Sequence, residues 1–288
     1  MITADIIAHS KHKKKELISI ETYAPKYLDA EIEKHRMLSS NSSSDRAIPL
    51  ERMLEKPPFL PKDIRRNQRG MQGDEKLSEG DINFIHHVLN KLYEETVDTL
   101  RYLSIKFNVH KQHLNRYLLG FSMQKKIITG TKEEWDYFLN LRLHPDADPA
   151  IYDLANKIDL AIRESKPKKL KKNQWHLPYI RGQEKKVYEP LTLCKISAAR
   201  CARVSYDNHD GSKTSVDKDL ELFKRLTEAD PPHMSPLDHQ GLPIVKSTDI
   251  SGTTYITKDG KFGSGNFKNW IQFRHHYLNI QKETTDDL

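Results

Sequence analysis

Residues 16–23, ELISIETY, alternate apolar and polar positions with the period of a half-buried strand. After Pro25, residues 26–36 place Leu28, Ile32 and His35 on one helical face; this predicts a helix that stops in the serine-rich stretch behind it, where Pro49 bars a simple continuation. Residues 56–80 mix Pro, Gly and charge and read as a long loop or lid. Ile82, Ile85, Leu89, Leu92, Val97 and Leu100 then recur near helical spacing, predicting a helix from about residue 80 to 107. Residues 110–121 read as a helix containing Arg116, and 122–130 as a strand. Residues 131–144 read as a helix capped by Thr129 or Thr131, with Trp135, Phe138, Leu139 and Leu143 on its apolar side. Asp148 caps the next helix and Pro149 suits its first turn. The last third predicts helices over 193–211 and 218–230, a turn at 231–240, strands at 241–247 and 253–260, and a final helix over 265–278. No short tandem repeat is present, and the alternation of helices with a few strands implies α+β or α/β architecture.

Composition narrows the class. The 288 residues are 36% hydrophobic and 30% charged, enough for a substantial core in a polar, globular chain. No apolar run approaches the roughly 20 residues of a membrane helix. The N-terminus sets a short apolar stretch before its charges, the reverse of an export signal, so a cytoplasmic location is expected. Cys194 and Cys201 are seven apart in one predicted helix, a spacing for one helical face rather than a disulfide. The net charge of +7 gathers in runs at 11–15 and 166–172, which read as a solvated tail and a solvated linker. Neither run is interleaved with the aromatics that stack on single strands, so a nucleic-acid partner is not expected. His110, His113, His275 and His276 have no Cys/His/Asp set of zinc-like spacing around them, so no metal is expected.

The stretch EIEKHRMLSSNSSSDRAIP, residues 31–49, is the point where chemistry concentrates. It lacks the glycines of a flexible linker and sits between His35–Arg36 and Arg46. Hydroxyls, backbone N–H groups and guanidinium are the groups that hold a phosphate, and on residue chemistry alone the stretch reads equally as a polar loop or an anion site. Its Lys34, His35, Arg36, Ser39, Asn41, Ser44 and Arg46 resemble the signature of the flavin-dependent thymidylate synthases, Arg-His-Arg, two residues, Ser-x-Asn, two residues, Ser-x-Arg, with only Lys34 differing. FLNLRLHPDADPAI resembles that family's late helix, whose arginine is here Arg142, and NRYLLGF the segment carrying Arg116. ARVSY, with Ser205, and HMSPLDH, with His233, Ser235 and Asp238, resemble its flavin-facing elements. These two elements follow the serine signature here and precede it in ordinary members, so the order resembles a circularly permuted, phage-type branch. QFRHH at 272–276 resembles a second partial copy of the helix that leads into the signature.

The resemblance implies an α+β fold with a mixed sheet and long helices, and a composite catalytic domain. Its parts would be a basic tail at 1–15, a signature and nucleotide-binding part at 16–165, a basic linker at 166–187 and a permuted flavin-binding part at 188–288. It implies conversion of dUMP to dTMP, with methylenetetrahydrofolate as one-carbon donor, reduced FAD as hydride donor and NADPH to reload the flavin, in a homotetramer with shared active sites. Arg142 and Ser44 would be catalytic. Arg46, Arg116, Ser42, Ser43, Gln272 and Arg274 would bind substrate. His35, Arg36, Asn41, Ser205, His233, Ser235 and Asp238 would meet the flavin. Such a reaction needs no activated cysteine, in keeping with two cysteines read as core. Departures are Lys34 for arginine, Ser42 for glutamate, Asp148 for glutamine, and Thr131, Glu133 and Tyr137 where polar residues often hold the adenine side of FAD. They leave open a flavoenzyme making another C5-modified pyrimidine nucleotide; a non-enzymatic nucleic-acid binder is the further alternative.

Overall fold

The computed structural model describes residues 1–44, 46, 48–70, 73–208, 212–244, 254–256 and 262–278. Strands β1 (Thr3–His12) and β2 (Lys15–Pro25) form an antiparallel hairpin. A 3-10 turn, Lys26–Leu28, leads into the one-turn helix α1, Asp29–Ile32. Strand β3 (Ser39–Ser42), helix α2 (Leu50–Leu54) and the long helix α3 (Glu79–Phe107) follow. Next come α4 (Lys111–Leu114), a 3-10 turn at Asn115–Leu118, β4 (Met123–Thr131), α5 (Lys132–Arg142) and α6 (Pro149–Glu164). The last part holds β5 (Lys168–Lys169), α7 (Glu184–Val187), α8 (Pro190–Arg203), α9 (Val216–Thr227), β6 (Gly241–Pro243), β7 (Thr254–Ile256), β8 (Phe262–Ser264) and β9 (Trp270–Gln272). The fold is α+β. Its main sheet runs β3-β4-β2-β1-β5, antiparallel except for the β1–β5 pair.

Side-chain alternation gives the sheet two unlike faces. Ile18 and Ile20 of β2 and Ile128 of β4 pack against α5 and α6 through Trp135, Phe138, Ile151, Leu154 and Ile158. The helix ends match the sequence reading. Thr131 accepts a hydrogen bond from Glu134 N–H, and Asp148 accepts from Ala150 and Ile151 N–H with Pro149 in the first turn. The opposite face carries Ser19, Ile127 and Thr129 and is covered by residues 175–180, α8 and the 235–240 turn. Cys194 and Cys201 are buried free thiols in α8. Burial raises both, as for thiols that stay protonated.

Several expectations change. Residues 1–15 are not a tail: Ile2 joins the core, and the lysine run sits around the β1–β2 turn, where Lys11 pairs with Glu16 and Lys15 with Glu133. The basic linker contributes β5, whose exposed lysines pair with the edge of β1. The serine stretch contributes β3, because its backbone pairs with β4 from Ser39↔Thr129 to Ser42↔Lys126. The expected final helix begins instead as β9, paired with β6, and turns helical only over residues 273–278. Helix α8 ends at Val204 in left-handed geometry; residues 209–211 of the expected helix and 245–247, 253 and 257–260 of the expected strands lie outside the described residues.

Candidate functional site

The signature turns out of α1 and enters the sheet edge at β3, so its side chains face three neighbourhoods. The first holds Arg142 at the C-terminus of α5. Its Nη1 donates to Glu31 Oε2 at 2.7 Å, its Nη2 to the Glu31 carbonyl at 3.2 Å and its Nε to His35 Nε2 at 3.1 Å. His35 is buried against Phe138, with ring centroids 4.8 Å apart. Burial and the Arg142 charge hold its imidazole down to about 4, so the ring is neutral and accepts from the guanidinium.

The second neighbourhood joins β3 to the last part of the chain. The Asn41 amide lies 3.0 Å from His239 Nε2 and 3.1 Å from Ser235 Oγ. Gln272 is buried and donates to Ser39 Oγ at 3.1 Å and to the Asp238 carbonyl at 2.9 Å, while its Oε1 accepts from Asn266 N–H. Arg274 Nη1 lies 3.2 Å from Asp238 Oδ2. Burial outweighs that cation and raises the Asp238 carboxyl to about 6.

The third neighbourhood is basic. Asn115 donates to the Ile48 carbonyl at 3.0 Å and so ties the turn carrying Arg46 to the segment carrying Arg116. Arg36, Arg46 and Arg116 are exposed, and none forms a side-chain ion pair among the described residues. Ser44 is exposed, while Ser42 and Ser43 are half-buried, with the Ser43 carbonyl accepting from Gln124 Nε2. His233 and Ser235 are exposed on the 231–238 turn. Ser205 follows α8, where its Oγ accepts from Asp207 N–H. Behind it, Arg200 bridges Glu184 and Asp219, and Arg203 also pairs with Asp219, a buried ionic cluster that holds this helix end.

Glu31, His239, Thr129 and Ser19 were missed in the sequence. Glu31 stands four residues before His35, but the helix expected over 26–36 stops at Ile32, so His35 lies beyond α1 and it is Arg142 that brings the two together. His239 closes the HMSPLDH motif. Thr129 and Ser19 carry no local signal; the β2–β4 register brings them opposite each other. No group of His, Cys, Asp and Glu suited to a metal ion, and no helix long and apolar enough to cross a membrane, is found among the described residues.

Among solved structures, the chain is similar to a UMP/dUMP methylase, PolB, from Streptomyces cacaoi bound with 5-Br UMP, at 13% identity over 57% of this chain and 89% of that chain, with a TM-score of 0.47. It is similar to the same methylase bound with 5-Br dUMP, at 15% identity over 57% of this chain and 90% of that chain, TM-score 0.48. It is also similar to Thymidylate Synthase X (ThyX) from Helicobacter pylori with FAD and dUMP, at 20% identity over 51% of this chain and 67% of that chain, TM-score 0.35. No protein-family model and no curated protein matches the chain.

Proposed function

We propose that the chain is a flavin-dependent thymidylate synthase of permuted motif order, methylating dUMP at C5. The observation that carries this reading is the arrangement around the signature: a neutral His35 and a fixed Arg142 at its start, and the exposed guanidiniums of Arg36, Arg46 and Arg116 nearby. Exposed arginines beside hydroxyls are a donor set suited to the phosphates of dUMP and FAD, so the residues present fit a dinucleotide flavin. FAD, when bound, would supply the hydride; methylenetetrahydrofolate would supply the carbon and NADPH the reducing equivalents.

The chain's own residues then orient and polarise. Arg46 and Arg116, with Ser42, Ser43 and Ser44, would hold the nucleotide phosphate. Arg142 would stabilise negative charge that builds on the pyrimidine carbonyls when C5 is activated. His35, Arg36, Ser205 and His233 would line the flavin. Gln272, Arg274, Asp238, Ser235 and Asn41 are engaged with one another, and their proposed part is to hold β3 against the 235–238 turn at the flavin side. Phe84, Val88 and Leu92 leave one face of α3 apolar and exposed, a surface suited to another subunit; the assembly proposed is a homotetramer with shared sites.

The test is release of tritium from C5-labelled dUMP by purified protein with FAD, NADPH and methylenetetrahydrofolate. Folate-dependent release with dTMP as product supports the reading. Release with a different product mass favours another C5 modification. A folded protein that takes no FAD and releases no tritium overturns it.

A further inference from the structure

A line of hydrogen bonds runs beneath the sheet from β1 to β3. Ser10 Oγ lies 2.9 Å from His176 Nδ1, and His176 Nε2 lies 2.8 Å from Ser19 Oγ. Ser19 Oγ lies 2.6 Å from Thr129 Oγ1, and Thr129 Oγ1 lies 2.9 Å from His239 Nδ1. His239 Nε2 then meets the Asn41 amide at 3.0 Å. Ser10, Ser19, Thr129, His176 and His239 are all buried.

Each interior member has a single hydrogen to give along the line. A hydroxyl has one hydrogen, and a neutral imidazole has one N–H and one bare nitrogen. Among the described residues the Ser19 and Thr129 hydroxyls have no acceptor outside the line, so the direction of any one bond fixes the direction of all of them, and two patterns satisfy the line. Asn41 selects between them. With its Nδ2 toward His239, the amide also donates toward the carbonyls of Ser235 at 3.1 Å and Ser40 at 3.2 Å, and its Oδ1 accepts from Ser235 Oγ at 3.1 Å. The reverse rotation sets the Asn41 oxygen against those two carbonyls, acceptor against acceptor. The hydrogens then run from Asn41 to His239, Thr129, Ser19, His176 and Ser10, with both histidines protonated on Nδ1.

We propose that His239, Thr129, Ser19 and His176 are positioning residues that lock the Asn41 carboxamide with both amide hydrogens turned into the protein. What Asn41 has left to offer is the second lone pair of Oδ1. It would therefore accept from an N–H donor, such as the imide of an isoalloxazine ring, and would not donate to an anion. The choice of flavin as that donor rests on the function proposed above; the direction of the line does not.

The experiment uses full-length protein labelled with 15N-histidine, its tautomers read by long-range 1H–15N correlation, beside an FAD titration of the same samples. The wild type is expected to show His176 and His239 both neutral with the hydrogen on Nδ1. Hydrogens on Nε2 in both rings overturn the direction, and opposite tautomers in the two rings overturn the continuous line. Thr129→Val, which removes the central hydroxyl, is expected to raise the FAD Kd about tenfold or more, and Thr129→Ser to stay within about threefold of wild type. Unchanged FAD affinity in Thr129→Val, with the tautomers disturbed, overturns the positioning role. Ser19→Ala gives the same reading if Thr129→Val does not fold. A wild type that takes no FAD overturns the flavin reading, while its tautomers still decide the direction of the line.

Discussion

Arg142 Nη1 lies 2.7 Å from Glu31 Oε2, so the guanidinium at the end of α5 is anchored on α1, four residues before His35. The pair is partly buried, at 17% and 29% side-chain exposure, where water still weakens it. Its value lies in geometry: Glu31 and His35 together fix a side chain that would otherwise have many rotamers. Glu31→Gln keeps the shape and one acceptor and removes the charge. We expect a modest loss of stability, about 1 kcal/mol in urea unfolding, and a larger loss of function. Tritium release from dUMP should fall about tenfold in Glu31→Gln and by about a hundredfold or more in Arg142→Ala. Equal activity in Glu31→Gln and wild type would show that Arg142 needs no anchor.

The neutral histidines make stability depend on pH. In the folded chain His35 titrates at about 4, and His176 and His239 at about 3, all held down chiefly by burial. Unfolded, each takes a proton near 6.5. As pH falls below 6.5 the unfolded state therefore binds more protons, and stability drops until the folded rings also titrate at about 3 to 4. Asp238 works the other way: raised to about 6, it holds a proton in the folded chain down to the ordinary carboxylate range, and offsets one histidine there. For these four groups together the net near pH 5.5 is about two protons, on the order of 2–3 kcal/mol per pH unit. Urea titrations at pH 7, 6 and 5 check the slope, and His35→Gln should reduce it by about 1 kcal/mol per unit. A flat profile would mean that these rings are charged in the native state.

Arg46 and Arg116 are exposed on two segments joined by the Asn115–Ile48 hydrogen bond. Substituting either by alanine removes little packing, so the unfolding midpoint should stay near that of wild type. Loss of one charge-assisted contact to a phosphate should weaken dUMP binding about tenfold or more. Isothermal titration with dUMP and with deoxyuridine separates the two effects: the arginine variants should lose affinity for dUMP and bind the nucleoside as wild type does. Parallel losses for both ligands would place these arginines away from the phosphate.

How much of this was legible in the sequence differs from element to element, for physical reasons. Periodicity and caps located α3, α5 and α6, because Thr131, Asp148 and Pro149 act within one turn of where they stand. The alternation at residues 16–23 found β2 and misread its second face. Ser19 is not solvated; it is buried, because His176 and Thr129, over a hundred residues away in sequence, supply its partners. Ser39 is similar, a serine that pairs with Gln272 inside a strand whose sequence has the polarity of a loop. Residues 1–15 escaped because their lysines mask a hairpin whose apolar positions are few and short. Polar residues satisfied by distant partners look like surface in a sequence, and the second neighbourhood of the site is made of them.

The ionic cluster behind Ser205 offers the sharpest stability test. Asp219 has no side-chain exposure and accepts from Arg200 Nε at 2.9 Å and from Arg203, while Arg200 also donates to both oxygens of Glu184. Removing one partner of a buried pair leaves a charge without solvent or counter-ion: among the described residues, Asp219→Ala takes the one carboxylate partner from Arg203 and leaves Arg200 with Glu184 as its only carboxylate. We expect it to cost about 3–5 kcal/mol in urea unfolding. Glu51→Ala, which removes the exposed partner of Arg101, should leave the unfolding midpoint close to that of wild type. The helix end that precedes Ser205 depends on this cluster, so a folded Asp219→Asn should weaken FAD binding more than it lowers the unfolding midpoint of the sheet. If Asp219→Ala were as mild as Glu51→Ala, water would have to reach Arg200, and α8 would not be the rigid support that the proposed flavin side requires.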